Sequence, residues 1–199
     1  MLLAAVFLYG SKENVVLIWN LMTHPMSVKI ILYMAAVLAV GLPFIYSITD
    51  VKNPKSYFYK LPNLTIRKLF HFLAFFCFTP AHLYMVESKE VFRLLVFAFN
   101  CVTVLFIFIE LVRYSNQGSA VGDYLNACFI KFADSREQMN QLMLTHLYLM
   151  MGCSIPTCIT FIILDGGFMN GELAVFAYSG VLFLGVGDSV AALYGKLAG

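Results

Sequence analysis

Long apolar runs separated by short polar segments are the main pattern along this chain. A helix needs about 20 residues to cross a bilayer, and four runs have that length while a fifth is slightly short. The predicted spans are residues 28–48, 69–86, 91–112, 144–164 and 173 to about 187, with a continuation to residue 194 left open. Residues 2–9 and 15–22 are apolar but short and stay unassigned. The pattern predicts an all-α, polytopic transmembrane helix bundle of about five to six spans.

One loop segment, residues 121–132, has helical periodicity with a single apolar stripe. The apolar residues stand at i, i+3, i+4, i+7, i+8 and i+11, whereas the other face carries Asp123, Asn126 and Lys131. The stripe consists of Val121, Tyr124, Leu125, Cys128, Phe129 and Phe132. Two interpretations fit it equally well: a helix lying in the cytoplasmic membrane interface, or a cytosolic helix packed on the bundle.

The composition agrees with a membrane protein. Hydrophobic residues make up 61% and charged residues 12%, against about 45–50% and about 25% in soluble domains. The mean hydropathy is +0.82, which argues against a soluble or disordered chain. A net charge of +2 is too small to indicate nucleic-acid binding. The five cysteines form no CxxC pair and are interpreted as small buried hydrophobes.

The basic residues of the loops predict the orientation. The predicted spans place loops 49–68 and 113–143 and the C-terminus on one side of the membrane. Nine basic residues lie on that side: Lys52, Lys55, Lys60, Arg67, Lys68, Arg113, Lys131, Arg136 and Lys196. Three lie on the other side, namely Lys29, Lys89 and Arg93, while Lys12 is unplaced. This bias predicts that the first side is cytoplasmic.

Titratable side chains from four segments gather at the predicted cytoplasmic face. They are Arg67, Lys68 and His71 at the start of the second span, Glu110 and Arg113 at the end of the third, His146 one turn into the fourth, and Asp188 near the end of the fifth. A charge at the centre of a span costs roughly 2.5–3.5 kcal/mol on insertion scales, so these residues need a partner or a function. Membrane-boundary anchors and a local ion pair at a helix end remain alternatives. His24 and His82 are interpreted as packing or interface residues.

The last segment combines a carboxylate with small residues at helical spacing. Asp188, Ala191, Gly195 and Gly199 stand at i, i+3, i+7 and i+11 and share one stripe. The stripe fits close contact between helices. It equally fits a smooth surface where a nucleotide approaches the backbone while the carboxylate holds a hydrated divalent ion on the phosphates.

Four motifs together resemble those of one enzyme family. Residues 185–199, GVGDSVAALYGKLAG, resemble the nucleotide-binding signature of dolichol kinases and related CTP-dependent lipid kinases and cytidylyltransferases. Residues 67–71, RKLFH, resemble the RKxxH motif of dolichol and phytol kinases, and residues 110–113, ELVR, resemble their ExxR. Residues 145–156, which begin with Thr-His, resemble the dolichol kinase segment between these motifs. The resemblance covers residues 61–199, whereas residues 1–60 are membrane segments of unclear role.

The resemblance implies an activity and a location. Dolichol kinases transfer the γ-phosphoryl group of CTP to dolichol with a divalent cation such as Mg²⁺, giving dolichyl phosphate for protein glycosylation. The expected setting is the cytosolic face of the endoplasmic reticulum membrane. Because the family signature continues into a basic loop beyond the position of Gly199, the resemblance implies a chain that is cut off within this signature. A CDP-lipid-forming cytidylyltransferase, a kinase of another lipid alcohol, and a non-catalytic membrane fragment or transporter remain alternatives.

The resemblance also implies roles for the residues at this face. Asp188 is expected to coordinate Mg²⁺, and either His71 or His146 to accept the proton of the alcohol. Glu110 is expected to orient Arg113 or to assist the metal. The residues expected to bind the nucleotide are Arg67, Lys68, Arg113, Gly187, Ala191, Gly195 and Gly199.

Overall fold

The computed structural model describes residues 11–49, 63–129, 142–164 and 170–198, and the regular structure in these ranges is helical. The elements are α1 (Ser11–Thr23), α2 (Pro25–Thr49), α3 (Asn63–Tyr84), α4 (Lys89–Ser115), α5 (Ala120–Phe129), α6 (Thr145–Ile163), α7 (Gly171–Leu182), a π-helical segment (Phe183–Gly187) and α8 (Asp188–Ala198). The prediction of an all-α membrane bundle is confirmed.

Four helices in the described part of the chain are long and apolar enough to span a membrane. They cover Pro25–Ser47, Lys89–Ser115, Thr145–Ile163 and Gly171–Ala192, which agrees with four of the five predicted spans. Helix α3 has 22 residues but is not among the four, because Arg67, Lys68 and two histidines lower its hydropathy. The predicted five to six spans are therefore slightly more than the structure shows.

Two boundaries differ from the prediction. Helix α3 begins at Asn63, so Arg67 and Lys68 lie inside its second turn rather than in a preceding loop. The unassigned residues 15–22 belong to α1, which contacts α2 and α4. A short helix of this kind depends on tertiary packing more than on its own propensity, and apolar run length does not reveal such packing.

Helices α3, α4, α6 and α7 form the interior of the bundle. Helix α6 packs against α4 and α7, while α3 contacts α2, α7, the π-helical segment and α8. Aromatic pairs fill the centre, with ring centroids 4.5 Å apart for Phe78 and Phe99 and 5.3 Å apart for Phe92 and Phe161. Helix α2 instead exposes much of its apolar surface, as a helix facing lipid does.

Proline residues create contact points between helices. Pro80 lacks the N–H that would bond the carbonyl of Phe76 one turn earlier, and the Tyr33 hydroxyl of α2 donates to that carbonyl at 3.0 Å. Pro156 in the same way leaves the carbonyl of Gly152 without its helical donor. Gly180 of α7 lies directly against the Gly152 oxygen, and a Cβ at position 180 would overlap it. Glycine at position 180 therefore sets the closest approach of α6 and α7.

We expect Gly180→Ala to destabilise the bundle, because the new methyl group meets backbone that cannot rotate away. Overpacking of this kind costs about 1–3 kcal/mol, so the apparent melting temperature in detergent should fall. Gly171→Ala is the matched control, since a Cβ there meets open space. Equal melting temperatures for the two variants would contradict this account of the α6–α7 contact.

Candidate active site

The clearest polar cluster joins the start of α3 to the start of α8. The Lys68 ammonium forms an ion pair with Asp188 Oδ2, and His71 Nδ1 lies 3.0 Å from the same oxygen. The side chains of Lys68 and His71 are 7% and 9% exposed, whereas that of Asp188 is 44% exposed. We call these three residues the Asp188 cluster. It combines two nearly buried donors with a carboxylate that reaches the surface.

The backbone around Asp188 explains how the cluster forms. Lys68 and His71 stand three residues apart on one face of α3, and Asp188 directly follows the π-helical segment. His71 Nδ1 also lies 3.1 Å from the carbonyl oxygen of Leu184 in that segment. Because both neighbours of Nδ1 are acceptors, Nδ1 carries the proton. A Cβ at Gly185 would come within 2.7 Å of Phe75 Cβ, so glycine lets the π-helical segment lie against α3.

His146 and Arg67 lie beside this cluster. Together with His71 they line a small cavity of about 20 Å³, which has room for roughly one water molecule. Phe70, Thr145 and Leu149 complete its lining. The structure thus brings both predicted histidines and Arg67 to a single cavity next to Lys68 and Asp188.

Glu110 and Arg113 form a second network that connects three parts of the chain. Arg113 is fully buried and donates to both Glu110 carboxylate oxygens, from Nε at 2.8 Å and from a terminal nitrogen at 2.5 Å. Its other terminal nitrogen donates to Asn126 Oδ1 at 2.6 Å, and the Met143 backbone N–H donates to Glu110 at 2.5 Å. We call this the Glu110 network. It links α4 to α5 and to the segment that leads into α6.

The sequence did not reveal every member of the Glu110 network. The expected ion pair at i and i+3 is present, but Asn126 and the Met143 backbone were not predicted. The position of Asn126 on the polar face of the 121–132 helix was the available signal. In the described part of the chain, Glu110 and Arg113 lie outside the Asp188 cluster. One turn before Glu110 on α4, the Phe106 ring lies with its centroid 6.1 Å from that of His146.

Helix α5 turns Asn126 toward the bundle, whereas Asp123 of the same polar face is exposed. Asn126 is buried against Arg113, whereas Val121 and Tyr124 of the apolar stripe are 56% and 70% exposed. Leu125 and Cys128 of the same stripe are half-buried, so the stripe packs on the bundle only in part. Both interpretations of this helix therefore stay predictions. Residues 130–132 of the predicted helix lie outside the described residues.

The small residues on either side of Asp188 leave an open surface. Gly187 and Ala191 are exposed, and a Cβ at Gly195 would meet no atom within 4 Å. Among the described residues, no close helix contact of the kind that one of the two interpretations required is therefore present at Gly195. Gly199 lies outside the described residues.

The described residues include no group of three or more histidine, cysteine or acidic side chains that could hold a metal ion. Mg²⁺, however, is commonly bound by one or two carboxylates, water and substrate phosphates. The exposed carboxylate of Asp188 fits that less demanding arrangement.

The fold and the Asp188 cluster define a multi-pass helical membrane protein with a polar site at one end of its bundle. No family model matches the chain, and no solved structure matches it. The chain is 33% identical to the dolichol kinase of Bos taurus over 159 residues, and 35% identical to that of Homo sapiens over 134 residues. It is 30% identical to the dolichol kinase of Saccharomyces cerevisiae over 135 residues.

These matches cover 79%, 67% and 68% of this chain but 28%, 23% and 22% of the relatives. Over the matched region the chain belongs to the dolichol kinase family. It spans about a quarter of the length of these curated relatives.

We expect Glu110→Gln to destabilise the protein strongly, since it leaves the buried Arg113 guanidinium without its counter-charge. Removing one partner of a buried ion pair costs about 3–5 kcal/mol. Thermal or denaturant unfolding in detergent measures the loss. Glu87→Gln is the control, because Glu87 is exposed in the turn before α4. Wild-type stability of Glu110→Gln would show that the Glu110 network does not hold α5 in place.

Proposed function

We propose that this chain takes part in transferring the γ-phosphoryl group of CTP to the terminal hydroxyl of dolichol, which yields dolichyl phosphate. The observation that carries the proposal is the Asp188 cluster, in which two helices join a cation, an imidazole and a carboxylate at one end of the bundle. The similarity to dolichol kinases over two thirds or more of the chain supports it.

The position of the cluster suits a reaction between a lipid and a soluble nucleotide. A long polyprenol is confined to the bilayer, whereas CTP is dissolved in the cytosol, so the two meet only at the membrane boundary. Phosphoryl transfer depends mainly on positioning and on neutralising charge. A partly exposed carboxylate beside nearly buried donors supplies both requirements at that boundary.

Several groups at the site would balance the negative charge of the nucleotide phosphates. Arg67 and Lys68 would offset the negative charge of the phosphates, and an arginine can contact two phosphate oxygens at once. Mg²⁺, when bound through Asp188, would neutralise further phosphate charge. The open surface at Gly187, Ala191 and Gly195 allows a nucleotide to approach the backbone.

The remaining residues act by proton transfer and by orientation. His71 and His146 line one cavity, and either could accept the hydroxyl proton. In His71 the acceptor would be Nε2, since Nδ1 points toward Leu184 and Asp188. Glu110 would hold Arg113 through the two-point contact described above.

The proposed setting is the endoplasmic reticulum membrane with the site on its cytosolic side, supported by the nine basic residues predicted on that side.

We expect Asp188→Asn to abolish phosphorylation while the protein still inserts into the membrane, because the amide can neither bind Mg²⁺ well nor pair with Lys68. The assay supplies labelled CTP and dolichol to detergent-solubilised protein and identifies the lipid product. Asp123→Asn, a change at an exposed acid on α5, should keep wild-type turnover. Retained turnover in Asp188→Asn would remove Asp188 from the mechanism. A CDP-lipid product would favour a cytidylyltransferase instead.

The proposed orientation predicts that Asn63, the acceptor of the Asn-Leu-Thr glycosylation sequence at residues 63–65, stays unmodified in cells. A cysteine introduced at the exposed Asp123 position of a cysteine-free variant should react with an impermeant maleimide added to the cytosolic side. Glycosidase-sensitive mobility, or labelling from the lumenal side alone, would reverse the orientation.

A further inference from the structure

A second buried polar cluster lies toward the other end of α3, away from the Asp188 cluster. His82 is 2% exposed and Thr157 is fully buried. His82 Nε2 lies 3.1 Å from Thr157 Oγ1, and the Thr157 hydroxyl donates to the Ala177 carbonyl at 3.0 Å. We call His82, Thr157 and the Ala177 carbonyl the His82 bridge. It joins α3, α6 and α7 in a single chain of polar contacts.

The direction of the protons in the bridge follows from the donor count. A threonine hydroxyl has one hydrogen, so when Thr157 gives it to the Ala177 carbonyl, His82 Nε2 donates to Thr157. His82 Nδ1 lies 3.0 Å from the carbonyl of Phe78 in its own helix. A neutral imidazole has one N–H, which is donated either from Nε2 to Thr157 Oγ1 or from Nδ1 to the Phe78 carbonyl. The form with hydrogen on Nε2 completes the connection across the three helices.

The bridge and the Asp188 cluster share one face of α3. His82 follows His71 by 11 residues, which is about three helical turns and roughly 16 Å along the axis. Between them Phe75 stacks with Tyr178 at 6.5 Å between centroids and touches the π-helical segment beside Gly185. Helix α3 therefore runs along α7 and the π-helical segment with polar contacts near both ends of the shared face.

Polar contacts of this kind fix how far one helix is shifted along its neighbour, which apolar packing alone specifies less well. Between membrane helices, lipid is as apolar as the packed side chains, so directional hydrogen bonds help to specify the partner positions. A slip of one helical turn, about 5.4 Å, would separate His71 from the Leu184 carbonyl and Lys68 from Asp188. Buried polar residues that fix such a register are known from coiled coils.

We propose that His82, acting through Thr157, is a positioning residue that fixes the axial register of α3 against α7 and the π-helical segment. It thereby holds Lys68 and His71 opposite Asp188. The register is independent of the proposed function, whereas its effect on turnover rests on that function.

Disulfide formation between two introduced cysteines measures the register directly. Phe75→Cys and Gly185→Cys, in a variant without the five native cysteines, place the two Cβ positions 2.7 Å apart before any adjustment. A disulfide needs a Cβ–Cβ distance of about 3.5–4.5 Å, so α3 and the π-helical segment must first separate by about 1 Å, whereas a slip of one turn, about 5.4 Å, would prevent the bond. Mild oxidation followed by electrophoresis of a proteolysed sample reports the rate.

The His82 variants distinguish the roles of the two imidazole nitrogens. His82→Gln keeps an N–H close to the Nε2 position and should cross-link at the rate of the His82 parent. His82→Asn and Thr157→Val remove the bridge and should slow cross-linking at least fivefold. Combining the last two should slow it no more than Thr157→Val alone, because Thr157→Val already removes the contact with His82. Thr160→Val is the matched control, since Thr160 is equally buried on α6 but donates to Pro156 of its own helix.

Parental cross-linking rates in both His82→Asn and Thr157→Val would overturn the proposal, and so would an equal loss in Thr160→Val. Size-exclusion elution of each variant identifies any that fails to fold, and His82→Gln then decides the result.

In the turnover assay, His82→Asn should lower kcat about tenfold with KM for CTP nearly unchanged, and His82→Gln should restore it. Normal turnover despite slower cross-linking would overturn the positioning role. Absence of turnover in the parent protein with intact cross-linking would count against the proposed function alone.

Discussion

Polar groups inside this bundle must find partners within the protein, because hydrocarbon offers none. That constraint gives weight to the buried polar contacts that cross from one helix to another. Lys68 reaches Asp188 across the α3–α8 contact, Arg113 reaches Asn126 across the α4–α5 contact, and Thr157 reaches Ala177 across the α6–α7 contact. The bundle is organised as much by these crossings as by its aromatic core.

The π-helical segment gives the site its particular geometry. An inserted residue widens the helix locally, and here the widening directly precedes the acidic residue of the cluster. The Leu184 carbonyl lies beside His71, and the bare backbone at Gly185 accepts the side chain of Phe75. A regular helix with a side chain at that position could not approach α3 so closely. Local irregularity and close packing therefore occur together at the place where Lys68, His71 and Asp188 meet.

The length of the apolar runs predicted the helices. The alternation of the loops between the two sides of the membrane predicted the end of the bundle at which the polar residues gather. The sequence did not predict which residue each polar group contacts. Backbone carbonyls and amides, such as those of Leu184 and Met143, leave no mark in a residue pattern. His82 looked like a packing residue because Thr157 lies 75 positions away along the chain, and nothing in either neighbourhood signals the other. The extent of α1 was missed for a similar reason, since its packing on α2 and α4 is a tertiary property.

Pro80 of α3 and Pro156 of α6 show how a hydrogen bond missing from one helix coincides with a contact to another. Each proline leaves a carbonyl oxygen one turn earlier without its helical donor. The Tyr33 phenol donates to the Phe76 oxygen, and the backbone of Gly180 lies against the Gly152 oxygen. Each of these helices thereby has a specific contact with one neighbour. Replacing either proline would restore the hydrogen bond within its own helix and occupy the oxygen that now faces the neighbouring helix.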